Sequence, residues 1–228
     1  MSEFFATIGK ARIVTARVRV PYAGIWFADC DLEDDTAITG RVDLVLGGCK
    51  FNGTIVEAFT GTFGMQTHVR MVAGAAQWAK TLPKKSYHSD AGIKTLTVVQ
   101  DAAREAGEKL GTVIPVKEAV GADFVRQVGP ASRVLERILG VVPWWVDYQG
   151  LTQSSLRKSV EVQGDYEVLE YDARHKVATV SCDTPEILGI GSILRSQQRL
   201  QHPLVVRQID ISMSGSSMRF TCWGVELP

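Results

Sequence analysis

The segment GVVPWWVDYQG, Gly140 to Gly150, sets Trp144 beside Trp145 with Tyr148 close behind. Three rings in one short stretch suit a carbohydrate platform or a nucleobase stack, because aromatic faces offer broad dispersion contact. They also suit a membrane anchor or a buried core or interface, and core or interface packing is the favoured reading once the segment is taken as a strand. The four histidines, at 68, 88, 175 and 202, are scattered along the chain. A Ser-His-Asp hydrolase also needs its nucleophile in a recognisable turn, and GxSxG does not occur. His68 reads as a sheet-face residue and His175 and His202 as surface positions.

Metal chemistry fares no better. HExxH is absent, and the cysteines at 30, 49, 182 and 222 form no CxxC pair. The acidic run DCDLEDD, Asp29 to Asp35, is dense in oxygen ligands but lacks the Gly and terminal Glu of an EF-hand loop. It reads as a solvated loop. GTFG and GGCKFNG match no phosphate-cradling motif and read as hairpin turns. Accordingly no catalytic, cofactor-binding or metal-binding residue is assigned; the expectation is a protein that is not an enzyme and carries no cofactor.

These residues sit in a β-rich frame. ARIVTARVRV (Ala11 to Val20) alternates Ile13, Thr15, Arg17 and Arg19 on one side against Arg12, Val14, Ala16, Val18 and Val20 on the other, mostly apolar side, the period of a half-buried strand. GRVDLVL puts Val42, Leu44 and Leu46 on one face, and Gly47-Gly48 reverses the chain into CKFNGTIVEAF. A further turn is expected from Thr60 to Gly64.

The texture then changes. TLTVVQDAAREAGEKLG (Thr95 to Gly111) predicts a helix with an Ala-rich apolar stripe, capped by Thr95 or Thr97 and stopped at Gly111. ASRVLERILG predicts a shorter helix ending at Gly140, followed by a strand through the tryptophans. Alternation along that strand sends Trp144, Val146 and Tyr148 to one face and Trp145 and Asp147 to the other. From Ser155 the pattern is β again, with Tyr171 to Arg174 as one hairpin connection and Ser214-Gly215-Ser216 as another. Strands and helices are segregated, which argues against a Rossmann-type sheet. Three parts are expected: 1–94 barrel-like β, 95–154 helix-containing α/β, and 155–228 barrel-like β.

Composition restricts the functional classes. Lys plus Arg and Asp plus Glu are 25 each over 228 residues. A dedicated nucleic-acid binder shows a basic excess or stripe, so specific nucleic-acid binding is not expected. No apolar run is long enough to span a bilayer. The start lacks the apolar core of a secretory signal. The expectation is a chain made in the cytoplasm, with its cysteines as small buried hydrophobes.

One resemblance goes further. The stretch from Gly47 to Gly111 contains a strand ending in Asn52-Gly53-Thr54, a strand running into Val72-Ala73-Gly74-Ala75, LPKKSY (Leu82 to Tyr87), and a helix ending in EAGE (Glu105 to Glu108). ASRVLERILGVVPWWVDYQGL then supplies a helix and a strand of the form W-x-V-D-x-x-G, and YEVLEYDARHKVATVSCDTPEILGIGSIL a later set of strands. This progression resembles the baseplate hub proteins of tailed bacteriophages, the late-control and Mu-like hub family. It covers most of residues 40 to 225, in a chain shorter than many members.

The resemblance implies an α+β, β-dominated fold: two antiparallel β-barrel, tail-tube-like domains with a small α/β helical middle segment. It also implies a structural homotrimer in the virion tail, an adaptor between tail tube and central spike, with wedge and tape-measure proteins as further partners. Two barrels per subunit would match threefold to sixfold symmetry. A carbohydrate-binding β module using Trp144, Trp145 and Tyr148, and a hub-associated cell-wall hydrolase, are the alternatives.

Overall fold

The structure, a computed structural model, describes residues 6–33, 35–63, 66–182, 184–215 and 217–227. Strand structure dominates, and two α-helices stand in the middle of the chain.

Six strands close a barrel: β1 (Ala6–Ile8), β2 (Ala11–Pro21), β3 (Phe27–Leu32), β4 (Arg41–Leu46), β5 (Cys49–Ile55) and β6 (Gln66–Ala73). Their order around the ring is β1-β4-β5-β6-β3-β2 and back to β1, antiparallel at every joint. The period-2 pattern decides which side chains fill it. Val18, Ala28, Leu32, Leu44, Leu46, Phe51, Val69, Met71 and Ala73 are fully buried, while Arg17, Arg19, Asp29 and Arg70 lie on the opposite face of their strands. The Gly47-Gly48 reversal is observed, with Leu46 paired to Cys49 and Gly47 at φ 58. Between Thr60 and Gly64 the outcome differs: Gly61–Phe63 is a short strand that pairs with β6. Gly64 itself lies outside the described residues.

The middle segment starts with β7 (Lys85–His88). Helix α1 (Thr95–Ala106), β8 (Leu110–Val113), β9 (Asp123–Arg126), helix α2 (Ser132–Leu139), β10 (Trp144–Val146) and β11 (Thr152–Ser154) follow. The apolar stripe of α1 buries Val98, Val99, Ala102, Ala103 and Ala106, as its spacing predicts. Its ends differ from expectation. Neither Thr95 nor Thr97 caps the N-terminus, where Lys94 is the cap residue and the Thr95 hydroxyl instead donates to the Lys117 carbonyl. The helix stops at Gly107, not Gly111, because Gly107 takes the left-handed conformation (φ 92) that ends a helix cheaply. Helix α2 ends at Gly140 as expected.

The C-terminal strands are β12 (Tyr166–Asp172), β13 (Val177–Cys182), β14 (Ser192–Leu194), β15 (Leu204–Ser214) and β16 (Ser217–Glu226). They run in the order β12-β13-β16-β15, and β15 pairs with β2 of the barrel. Strand β2 is therefore a seam. Its first residues, Ala11 and Arg12, pair with β1 and close the barrel; Thr15 to Pro21 pair with β15 and carry the sheet onward. The result is one 13-stranded sheet, part barrel and part open. Among the described residues β12 pairs only with β13, so it forms an edge.

The sequence pieces that recur in the hub resemblance turn out to touch one another. Glu108, at the end of EAGE, is buried and accepts hydrogen bonds from the backbone N–H groups of Ala75 (3.1 Å) and Gln77 (2.6 Å). In W-x-V-D-x-x-G, the Asp147 carboxylate accepts the N–H groups of Gln149 and Leu151 and the side-chain amide of Gln153. Gly150 then turns at φ 76 against the Asn52 carbonyl, where a Cβ would also meet Arg41. The motif is a strand end and a turn locked to the barrel.

Candidate assembly surface

The tryptophan pair divides as alternation demands. Trp144 is buried against Trp78 with ring centroids 5.7 Å apart, and Trp78 donates from Nε1 to Thr152. Tyr148 packs on Phe51 at 4.6 Å, and Phe51 on Trp26 at 5.4 Å, so this row of rings belongs to the buried core. Burial pushes the Tyr148 hydroxyl up to about 12. Trp145 points the other way and is capped by the Arg157 guanidinium, 4.1 Å above its ring. Burial lowers Arg157 to about 10, which leaves it charged at neutral pH. The three rings share no open face, so they do not form a sugar platform.

The histidines meet carboxylates. His68 Nδ1 lies 2.9 Å from Asp31, which also accepts from the Thr15 hydroxyl. Here the carboxylate sits between hydroxyl and imidazole; a triad needs the imidazole in the middle to take the proton. The hydrogen bonds from Thr15 and then His68 hold the Asp31 carboxyl below its usual range. His88 pairs with Asp123, and His175 with Asp172 in the hairpin turn. His202 is exposed.

The acidic run is also placed differently from expectation. Asp29 and Asp31 are strand residues of β3, not loop residues, because alternation puts them opposite the buried Ala28, Cys30 and Leu32. Asp29 receives Arg70 in a two-pronged contact (2.6 and 2.8 Å). Asp34 lies outside the described residues. Among those described, no cluster of three or more His, Cys, Asp or Glu is placed to hold a metal ion. All four cysteines are buried, and burial pushes Cys30, Cys49 and Cys222 up to about 12.

On the outer face of the shared sheet, charges alternate from strand to strand. Asp210 of β15 meets Arg17 and Arg19 of β2; Asp29 and Asp31 of β3 follow; Arg70 and His68 of β6 complete the row. Arg19 and Arg70 both sit over the Phe27 ring, at 5.8 and 5.4 Å. Each charge in this belt has its partner inside the chain, so it stitches the barrel to the C-terminal sheet.

The surface of the middle segment is different. Val116 and Val141 are exposed, Val141 by 93%, beside a cleft of about 550 Å³ that includes Ile138 and Val120. Phe124 and Arg137 form the wall between this cleft and a second, of about 420 Å³. The second cleft is lined by Arg126, Arg133 and Arg137 together with exposed Val128. A network fixes its floor. Lys85, Tyr87 and Arg104 bind Asp101, and Lys85 and Arg126 bind Glu105, so β7 and β9 are clamped onto α1. Apolar side chains exposed beside a cluster of arginines are features of a protein interface more than of a catalytic pocket. The sequence reading did not single out these arginines. The only signal was Arg133 and Arg137 at i and i+4 on a short helix.

The sequence matches neither a family model nor a curated protein. The fold does find relatives. It is similar to a tail protein of prophage MuSo2 from Shewanella oneidensis at TM-score 0.67 and 9% identity, over 99% of this chain and 98% of that one. A tail protein from Neisseria meningitidis MC58 matches at TM-score 0.61 and 9% identity, over 96% and 95%. An Escherichia coli component of the type VI secretion system, itself described as similar to T4 bacteriophage tail proteins, matches at TM-score 0.64 and 10% identity, over 98% and 77%. The chain shares its fold with these three proteins over 96–99% of its length.

Proposed function

We propose that the chain is the structural baseplate hub of a phage tail, a ring-forming adaptor that joins the tail tube to the central spike. The observation that carries this reading is the end-to-end likeness to tail proteins from two organisms. In this reading residues 1–94, 95–154 and 155–228 act as two β units joined by a helical middle. The chain works as a homotrimer in the virion, without catalysis or cofactor. Wedge or tape-measure proteins contact the same ring.

Two features support assembly. Strand β12 offers an edge that is unpaired among the described residues, and a neighbouring subunit is a natural cover for such an edge. The balanced charge, 25 basic against 25 acidic residues, suits a lumen through which DNA passes without sticking.

Size-exclusion chromatography with light scattering over a range of protein concentrations tests the reading. A trimer that captures tail tube and spike proteins is the expected result. A chain that stays monomeric at every concentration and captures neither overturns it.

A further inference from the structure

The cleft between β9 and α2 has donors that the chain itself does not use. Arg126 is 2% exposed. Its Nε and Nη2 donate to the Pro83 carbonyl, and Nη2 also donates to Glu105. Its Nη1 is buried with no hydrogen-bond partner among the described residues. A buried guanidinium nitrogen without an acceptor is costly and uncommon, and functional sites are one place where such groups persist.

Two further guanidinium groups line the same cleft. Arg137 is held in place: it stacks over Phe124 with 5.0 Å to the ring centroid and donates from Nη1 to the Val125 carbonyl. Arg133 stands one helical turn earlier, so the two like charges repel across i and i+4. Neither has a salt bridge among the described residues. An anion between them relieves that repulsion and accepts several charge-assisted hydrogen bonds at once.

The rest of the lining says which anion. Phe124, Val128, Pro130 and Val134 make part of the wall apolar, and Val128 is 63% exposed. A bare phosphate has no use for these surfaces. Glu136 in the same wall offsets one of the three lining cations, which suits a single negative charge better than a polyanion such as nucleic acid. We propose that this cleft recognises a carboxylate side chain on a partner protein segment, with apolar neighbours of that acid resting on Val128 and Pro130. The site does not depend on ring formation, so it stands or falls separately from the hub reading.

The test uses the whole chain and two probes, acetyl-Leu-Glu-Leu-amide and acetyl-Leu-Gln-Leu-amide, with inorganic phosphate as a third. Binding is followed by calorimetry and by the arginine Nε–Hε signals in NMR. The Glu peptide is expected to bind and to perturb the signals of Arg133 and Arg137, and the Gln peptide to bind about tenfold more weakly, the size of one charged hydrogen bond. Arg133→Gln and Arg137→Gln should each weaken the Glu peptide by a similar factor. Both residues are exposed on α2, and circular dichroism checks that the variants stay folded. Equal binding of the two peptides overturns the proposal. So does unchanged binding in the variants, or phosphate binding in the absence of any Glu-peptide binding.

Discussion

Arg19 donates from Nε and Nη2 to the two carboxylate oxygens of Asp210, each at 2.9 Å, across the seam between β2 and β15. Arg17 adds a second clasp to the same carboxylate. Asp210 is 3% exposed, while its partners reach solvent, so the carboxylate is the member that suffers if the cluster breaks.

Removing the acid is therefore expected to cost more than removing either base. Asp210→Ala should lower stability by about 2 kcal/mol, less than a fully buried pair because solvent screens both arginines. Arg19→Ala should cost more than Arg17→Ala, since Arg19 binds both oxygens and is the less exposed. Urea unfolding of the three variants checks the order. Equal midpoints for Asp210→Ala and wild type would remove the seam cluster from the account of stability.

Acid sensitivity should concentrate at Asp101. Burial alone would raise its carboxyl, but hydrogen bonds from Lys85 and Tyr87 and the nearby charges outweigh that and hold it at about 2. A carboxyl lowered in the folded state stabilises fully above its ordinary range near 4, and that contribution is lost as pH falls toward 2. Asp101→Asn should thus be destabilised at pH 7, with the difference from wild type shrinking between pH 4 and pH 2. Urea midpoints measured across that range give the answer; a gap independent of pH contradicts it.

Gly53 should not tolerate a side chain. It lies in β5 opposite Ala73, and a Cβ there would stand 2.5 Å from the Val72 carbonyl oxygen and 3.0 Å from Trp26. Gly53→Ala forces the barrel wall apart, an overpacking strain of about 1–3 kcal/mol. A lower melting temperature with unchanged far-ultraviolet circular dichroism is the expected signature.

The adjacent tryptophans should behave unequally. Trp144→Ala empties a buried site against Trp78 and should cost about 3–5 kcal/mol. Trp145→Ala removes the ring beneath Arg157 and should cost about 1 kcal/mol, the scale of a partly exposed cation–π contact. Neither should alter binding to a glycan array. Comparable losses for the two variants would contradict the division of faces.

Much of the fold was legible because it rests on alternation. The faces of β4 and of β2 from Thr15 onward, the Gly47-Gly48 hairpin, the Ala stripe of α1 and the split of Trp144 from Trp145 all follow from side-chain period; at the start of β2 a register shift between Ile13 and Thr15 breaks it, so that Ala11 is buried and Arg12, expected on the apolar side, is exposed. Helix ends were less so. Gly107 and Gly111 are both plausible stops, and tertiary contacts chose the first, because Leu110 was needed in β8 beside Thr152. The acidic run misled because charge count hides alternation: Asp29 and Asp31 face out of a strand whose other face is buried. The arginine cleft was illegible since it joins β9 to α2, and Arg126 meets Glu105 across 21 positions of sequence.

The seam strand also sets how the molecule carries load. Thr15 to Pro21 pair with Ser214 to Gln208 through seven consecutive positions, on a strand that also closes the barrel. Antiparallel hydrogen bonds lie across the strand axis. A pull directed along β2 therefore strains that whole row in shear at once, whereas a pull across it would peel the bonds one by one. Oriented with its strands along the direction of tension, this chain would resist as a single mechanical piece, with barrel and open sheet yielding together.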